Sequence, residues 1–161
     1  MINLENPILA KLYRAFLDKK VWLEFWGLPI EYNTLAASAV GAQGQVTIDQ
    51  NTDFVLLQLA LTAYTAAGTV LANPDYTLDL RELSGNSNFT SQEMHVANWT
   101  GTMRNSGAII YDLPFPRYIS GNNTIQSRLT NRTATAARVD IALLGLRVNY
   151  QSTTRESVLG W

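Results

Sequence analysis

Near the start of the chain the apolar residues Ile8, Leu9, Leu12, Tyr13, Phe16 and Leu17 recur with the spacing of one face of an amphipathic helix. Asn6 followed by Pro7 is a start signal for that helix, since the Asn side chain can cap it and proline at the first helical position sacrifices an N–H that has no partner anyway. Lys19 and Lys20 suit its negative C-terminal end. A helix of about a dozen residues does not hold together in water on propensity alone, so the stripe must dock, either on its own domain or on a neighbour.

The pattern then changes period. Val21-Trp22-Leu23-Glu24-Phe25-Trp26 is β-branched and aromatic, with Gly27 and Pro29 expected to end the strand. From residue 30 onward strand patterns follow one another between Gly, Asn, Pro and Ser turns. Gln45 to Asp49 reads as a short strand, and Phe54 to Leu61 as an apolar run suited to a central one. Tyr76, Leu78 and Leu80 alternate with Thr77, Asp79 and Arg81, and Ile125, Ser127 and Leu129 alternate with Gln126, Arg128 and Thr130. Val139, Ile141 and Leu143 begin a last alternation that resumes through Leu146 and Val148 after an expected bulge at Gly145.

Segments around Gly85, Gly107 and Gly121 read as loops, and Leu113-Pro114-Phe115-Pro116, lacking two N–H groups, reads as a corner between two sheets. Gln151 to Trp161 shows no period. The whole predicts an all-β, antiparallel β-sandwich with an N-terminal amphipathic helix. Its expected parts are a helical arm and first strand over 1–29, the sandwich over 30–150 and a C-terminal tail over 151–161.

Composition narrows the function more than the fold. The 161 residues suit one domain, with 47% apolar and only 16% charged residues. A net charge of -1 lacks the basic excess of a nucleic-acid binder, so no nucleic-acid partner is expected. With no cysteine, neither a disulfide frame nor a thiolate zinc site nor a Cys nucleophile is available. No leader pattern and no apolar run of membrane-spanning length occurs, so a soluble, cytosolically made chain without a membrane partner is expected.

Candidate chemistry is sparse. His95 is the single histidine, and a Ser-His-Asp set or histidine metal site would have to pass through it. In Met94-His95-Val96 it reads as a strand residue at the surface or in a hydrogen bond. Asp75 with Asp79, and Glu24 with Glu31, fit solvated strand faces rather than a glycosidase dyad or calcium site. Glycosylation sequons begin at Asn88, Asn98, Asn122 and Asn131, as chance supplies in a chain this rich in Asn and Thr. Trp99, Tyr111, Phe115 and Tyr118 could instead form a sugar-stacking platform. No catalytic set, cofactor or metal is expected, and an enzyme on this scaffold would need a pocket joining His95 to carboxylates.

Asp53-Phe54 opening a long apolar strand, Tyr76-Thr77-Leu78-Asp79-Leu80 before a turn at Ser84-Gly85, Leu113-Pro114-Phe115-Pro116, Leu129-Thr130-Asn131 and Val139 to Gly145 form a rhythm spanning Thr52 to Val148. In this the chain resembles the jelly-roll virion proteins of tailed bacteriophages: capsid cement or decoration proteins, or related neck and tail accessory subunits. The resemblance implies a structural subunit located in the virion and assembled in the host cytoplasm. Its partners would be the major capsid protein or other virion subunits, and it would form a homo-oligomer. Apolar anchors to those partners are then expected at Ile8, Leu12, Phe16, Trp22, Trp26 and Trp161. A carbohydrate- or receptor-binding sandwich is the alternative of a different class.

Overall fold

The computed structural model describes residues 6–71, 75–84, 87–89, 93–96, 109–151 and 153–160. Helix α1 spans Pro7–Leu17, and the Asn6 side chain accepts the N–H groups of Ile8 and Leu9 at 3.0 and 3.2 Å, so the start signal works as its chemistry requires. The strands are β1 (Val21–Leu35), β2 (Ala42–Thr47), β3 (Thr52–Thr65), β4 (Tyr76–Glu82), β5 (Ser87–Asn88), β6 (Met94–His95), β7 (Ile109–Ile119), β8 (Thr124–Asn131) and β9 (Ala137–Tyr150). A short helix, α2, closes the chain at Arg155–Leu159.

One sheet has the order β1-β9-β3-β7, and the other has β2-β8-β4 with β5 and β6 following each other along the far edge of β4. All pairings are antiparallel. If β5 and β6 are taken as one interrupted strand, the first strand pairs with the last, the second with the last but one, and so inward to β4. That is one long hairpin rolled up on itself, the jelly roll.

The two sheets differ in length. β1, β3 and β9 run for 15, 14 and 14 residues, whereas β2, β4 and β8 run for 6, 7 and 8. The short sheet therefore roofs only part of the long one. Where it does, Ile30, Tyr32, Leu59, Leu61, Val139, Ile141 and Leu143 meet Tyr76, Leu78, Leu80, Ile125 and Leu129 in the main core. Toward the other end the long sheet buries its opposite face: Val21, Val55, Leu146 and Val148 pack beneath Leu9, Leu12 and Ala15 of α1 and Leu159 of α2.

This change of cover explains the interrupted alternation in β9. Pairing of β1 with β9 is continuous from Val21/Tyr150 to Tyr32/Val139, so β9 carries no bulge at Gly145 against β1. Odd positions point to the short-sheet side, into the main core as far as Leu143, and even ones become buried after Leu144 because the helices lie over the other face. The irregularity is in β3, where Leu57 is the extra residue. Gly145 is needed for another reason: a Cβ there would lie 2.0 Å from the Val55 carbonyl oxygen.

Three further expectations change. β1 does not stop at Gly27 and Pro29 but continues to Leu35, because it is an edge strand and proline removes no ladder bond on its free side. The division at residue 29 thus falls inside a strand. Leu113 to Pro116 does not cross between sheets; it arches out within β7, an edge strand, between the Arg117/Leu56 and Asp112/Gln58 pairs. Finally, residues 155–159 of the tail dock as α2, with Thr154 capping one end and Gly160, at φ 80°, the other.

The docking is held by Asp53, which has no solvent exposure and receives five hydrogen bonds. Tyr118 and Tyr150 donate their hydroxyls, the Gly121 N–H donates at 2.7 Å, and Arg155 donates Nε at 2.9 Å and Nη2 at 2.5 Å. A carboxylate can be buried at this depth because each oxygen is paired. Asp53→Asn leaves Arg155 without its counter-ion, and about 2–3 kcal/mol of stability should be lost in urea unfolding, the partial exposure of the arginine moderating the cost.

Burial first, and then the bonds to Asp53, push the phenols of Tyr118 and Tyr150 well above the ordinary tyrosine range. Folding thus favours their protonated forms, a contribution intact below about pH 10 and lost as pH rises beyond it, where unfolded tyrosines ionise and these do not. The urea midpoint should fall between pH 9.5 and 11.5 (roughly the window set by the ordinary tyrosine pKa) more steeply than in a Tyr118→Phe, Tyr150→Phe variant.

Candidate interaction surface

β1 pairs with β9 on one side and with no described strand on the other. At the end not roofed by the short sheet, its side chains project from an unpaired edge. Trp22 and Trp26 lie on the same face as Ile30 and Tyr32, opposite Asn149 and Gly145 of β9. Phe25, opposite Leu146, lies on the face that carries α1. Trp22, Phe25 and Trp26 are 54, 64 and 40% exposed, and Leu17 and Tyr13 of α1 add to the uncovered apolar surface.

The neighbours restrain this surface without covering it. The Phe16 ring lies 5.9 Å from Trp22, tilted by 55°. The Arg147 guanidinium sits 5.2 Å from the Trp26 ring and is itself fixed to Asp49 at 3.2 Å. An aromatic already held by its surroundings loses little conformational freedom on binding, which favours it as an anchor.

The structure separates the expected anchors. Leu12 is fully buried beneath α1 and is a residue of the chain's own core, and Ile8 and Phe16 are half-buried beside it. The stripe of α1 docks on its own sheet, as a short helix must dock on something. Trp22 and Trp26 stand exposed at the β1 edge. Trp161 lies outside the described residues. Phe25 completes the surface; the signal for it was a strand with large aromatics at both even and odd positions, which leaves neither face polar.

Elsewhere, the His95 Nε2 and Asp75 Oδ1 lie 2.9 Å apart at the surface, and Thr77 donates to Glu93 at 2.5 Å. Among the described residues no group of three or more His, Cys, Asp or Glu side chains is placed to hold a metal, and no helix is long and apolar enough to cross a membrane. Tyr118 is engaged with Asp53 rather than offered as a sugar platform, and Tyr111 is partly buried. Phe115 is 78% exposed beside an apolar hollow of about 280 Å³ lined by Leu56, Leu80, Met94, Tyr111 and Arg117. Trp99 lies outside the described residues.

If the β1 aromatics are surface and α1 is core, truncation should separate them in the isolated chain. At concentrations where the chain is monomeric, Phe25→Ser should change the urea-unfolding free energy by no more than about 0.5 kcal/mol, whereas Leu12→Ala should cost about 2–5 kcal/mol.

The sequence matches no protein-family model and shows no significant similarity to a curated protein. The fold is similar to the cyanophage Pam1 capsid asymmetric unit, with 13% identity, 81% of this chain and 85% of that one covered, and a TM-score of 0.38. It is similar also to the turnip yellow mosaic virus structure (12% identity, 83% and 99% covered, TM-score 0.32). The Yersinia pseudotuberculosis-derived mitogen compares in the same way, at 9% identity, 85% and 94% covered and TM-score 0.32. Likenesses this distant carry no functional argument, and the jelly-roll assignment stands on strand order.

Proposed function

We propose that this chain is a structural subunit of a virion, a cement or decoration protein that stabilises a bacteriophage head by bridging capsid subunits. The observation that carries the reading is the row of exposed aromatics, Trp22, Phe25 and Trp26, on the unpaired edge of β1. Large apolar side chains fixed on a rigid sheet, with their backbone edge open, fit a permanent contact rather than a solvated face. The resemblance to tailed-phage virion proteins in residues 52–148 and the low charge of the chain support the same reading.

The mechanism is adhesion. Surface buried between this subunit and its neighbours exists only in the intact shell, so the contact favours the shell over its separated parts by mass action. No bond is made or broken. A neck or tail position belongs to the same class and differs in copy number. Phe115, exposed beside its hollow, favours a second reading in which the sandwich binds a carbohydrate or receptor through β7.

Quantitative mass spectrometry of purified particles tests the reading. Cement predicts on the order of hundreds of copies per head, whereas a neck ring predicts about a dozen. Heads reconstituted with the protein should dissociate at higher temperature than bare heads, and a Trp22→Ser, Trp26→Ser variant should lose most of that gain. Absence of the chain from particles, or full stabilisation by that variant, would sink the assignment.

A further inference from the structure

We infer that the occupant of the β1 edge is a second copy of this chain, its β1 paired antiparallel to the first about a two-fold axis through Phe25. The inference names the partner of the surface on which the proposed function rests. Its first support is that the exposed aromatics point both ways from one strand, Trp26 to one face and Phe25 to the other, while the Trp22 ring lies against Phe16 of α1. A partner resting on either face leaves the other aromatics in water. A strand added along the edge extends both faces together and reaches all three.

The edge is also poorly guarded where the aromatics lie. Natural edge strands deter pairing with charges, proline or a bulge. In β1 the proline, Pro29, and the register shift beyond Tyr32 fall in the other half of the strand. Between Val21 and Gly27 the single charge is Glu24.

Charge selects the register. A two-fold axis perpendicular to the sheet keeps faces together, so the residues that meet have the same parity and the axis passes through a residue. An axis through Glu24 would set Glu24 against its own copy, a like-charge pair. An axis through Trp26 would set Glu31 against Val21 and bring it no cation. An axis through Phe25 sets Phe25 against Phe25, Leu23 against Gly27, Trp22 against Leu28 and Trp26 against Glu24, and it brings the turn that carries Lys19 of each copy toward Glu31 of the other.

Both of those charges suit the pairing. The ladder to β9 extends as far as Lys20, whose carbonyl accepts the Gln151 N–H at 2.9 Å; Lys19, one residue earlier, lies in the turn that ends α1, with φ 56° and its N–H on the Phe16 carbonyl. Lys20 has Asp18 at 3.9 Å, whereas Lys19 makes no ion pair among the described residues. Glu31 stands opposite Asp140, a like charge, and the nearby Arg138 is committed to Asp140 through two bonds of 3.0 Å. A lysine from a second copy would give Glu31 a direct ion pair, twice per dimer.

The chain has no cysteine, so single cysteines can report the register directly. Phe25→Cys should give a covalent dimer under mild oxidation, because residues meeting across an antiparallel pair lie within disulfide reach. Leu23→Cys and Gly27→Cys should not, since each would lie about 13 Å from its own copy. In sedimentation the unmodified chain should dimerise; Lys19→Glu or Glu31→Lys alone should weaken the dimer about fivefold, and the double exchange should restore it.

A strictly monomeric chain overturns the inference, as does cross-linking no stronger at 25 than at 23 and 27, or failure of the double exchange to rescue. A chain found in particles without the Phe25→Cys cross-link leaves the proposed function standing and removes only this partner. A cross-linked dimer that never enters particles does the reverse.

Discussion

The architecture depends on a mismatch in length. Strands of 14 and 15 residues in one sheet face strands of 6 to 8 in the other. At about 3.3 Å per residue the long sheet outruns its roof by more than 20 Å. Its apolar residues beyond that roof need another cover, and the helices supply it on the opposite face. Val55 and Val148 are buried there as completely as Ile141 and Leu143 are in the main core, and Leu146 nearly so. The cover favours the middle strands, β9 and β3, and reaches only the first residues of β1. Trp22, Phe25 and Trp26 are what the two coverings leave behind.

Two helices can serve as a cover only if they are fastened. Alone, α1 is too short to be stable, and α2, at 5 residues, more so. Asp53 supplies the fastening at the first turn of α2, since its carboxylate joins Arg155 to hydroxyls from β7 and β9. Lys11 of α1 donates to the Leu159 carbonyl at 2.5 Å and ties the helices together. Burying the carboxylate costs desolvation, which five donors offset. The edge surface is thereby presented on a firm support, and binding need not first order it.

What could be read along the sequence was whatever depended on local period or local capping. Asn6-Pro7, the alternation in β8 and the apolar run of β3 each state their structure within a few residues; in β4 the alternation marks the inward residues, but Thr77 and Asp79, expected on a solvated face, are buried as well. What failed depended on cover from distant segments. The change of buried parity along β9 looks like a bulge until α1 is known to lie on the other face, and Pro29 looks like a strand end until β1 is known to be an edge. Asp53 could not be singled out because its partners lie more than 60 residues away in sequence. For the surface, period alone could not tell the docked Leu12 from the exposed Trp22; Phe25 could have been found by noting that β1 is apolar at both parities.

An exposed aromatic edge on a braced sheet is the feature from which association is argued, while the jelly roll itself serves many unrelated functions. Hydrogen–deuterium exchange along β1, measured in the separated chain and in its assembled form, tests that claim most directly. Amides of residues 21–27 on the free side of β1 should exchange fast in the separated chain and become strongly protected on assembly, while those bonded to β9 should change little. Equal, fast exchange at these amides in both states would contradict it, because the β1 edge would then remain open to water in the assembly.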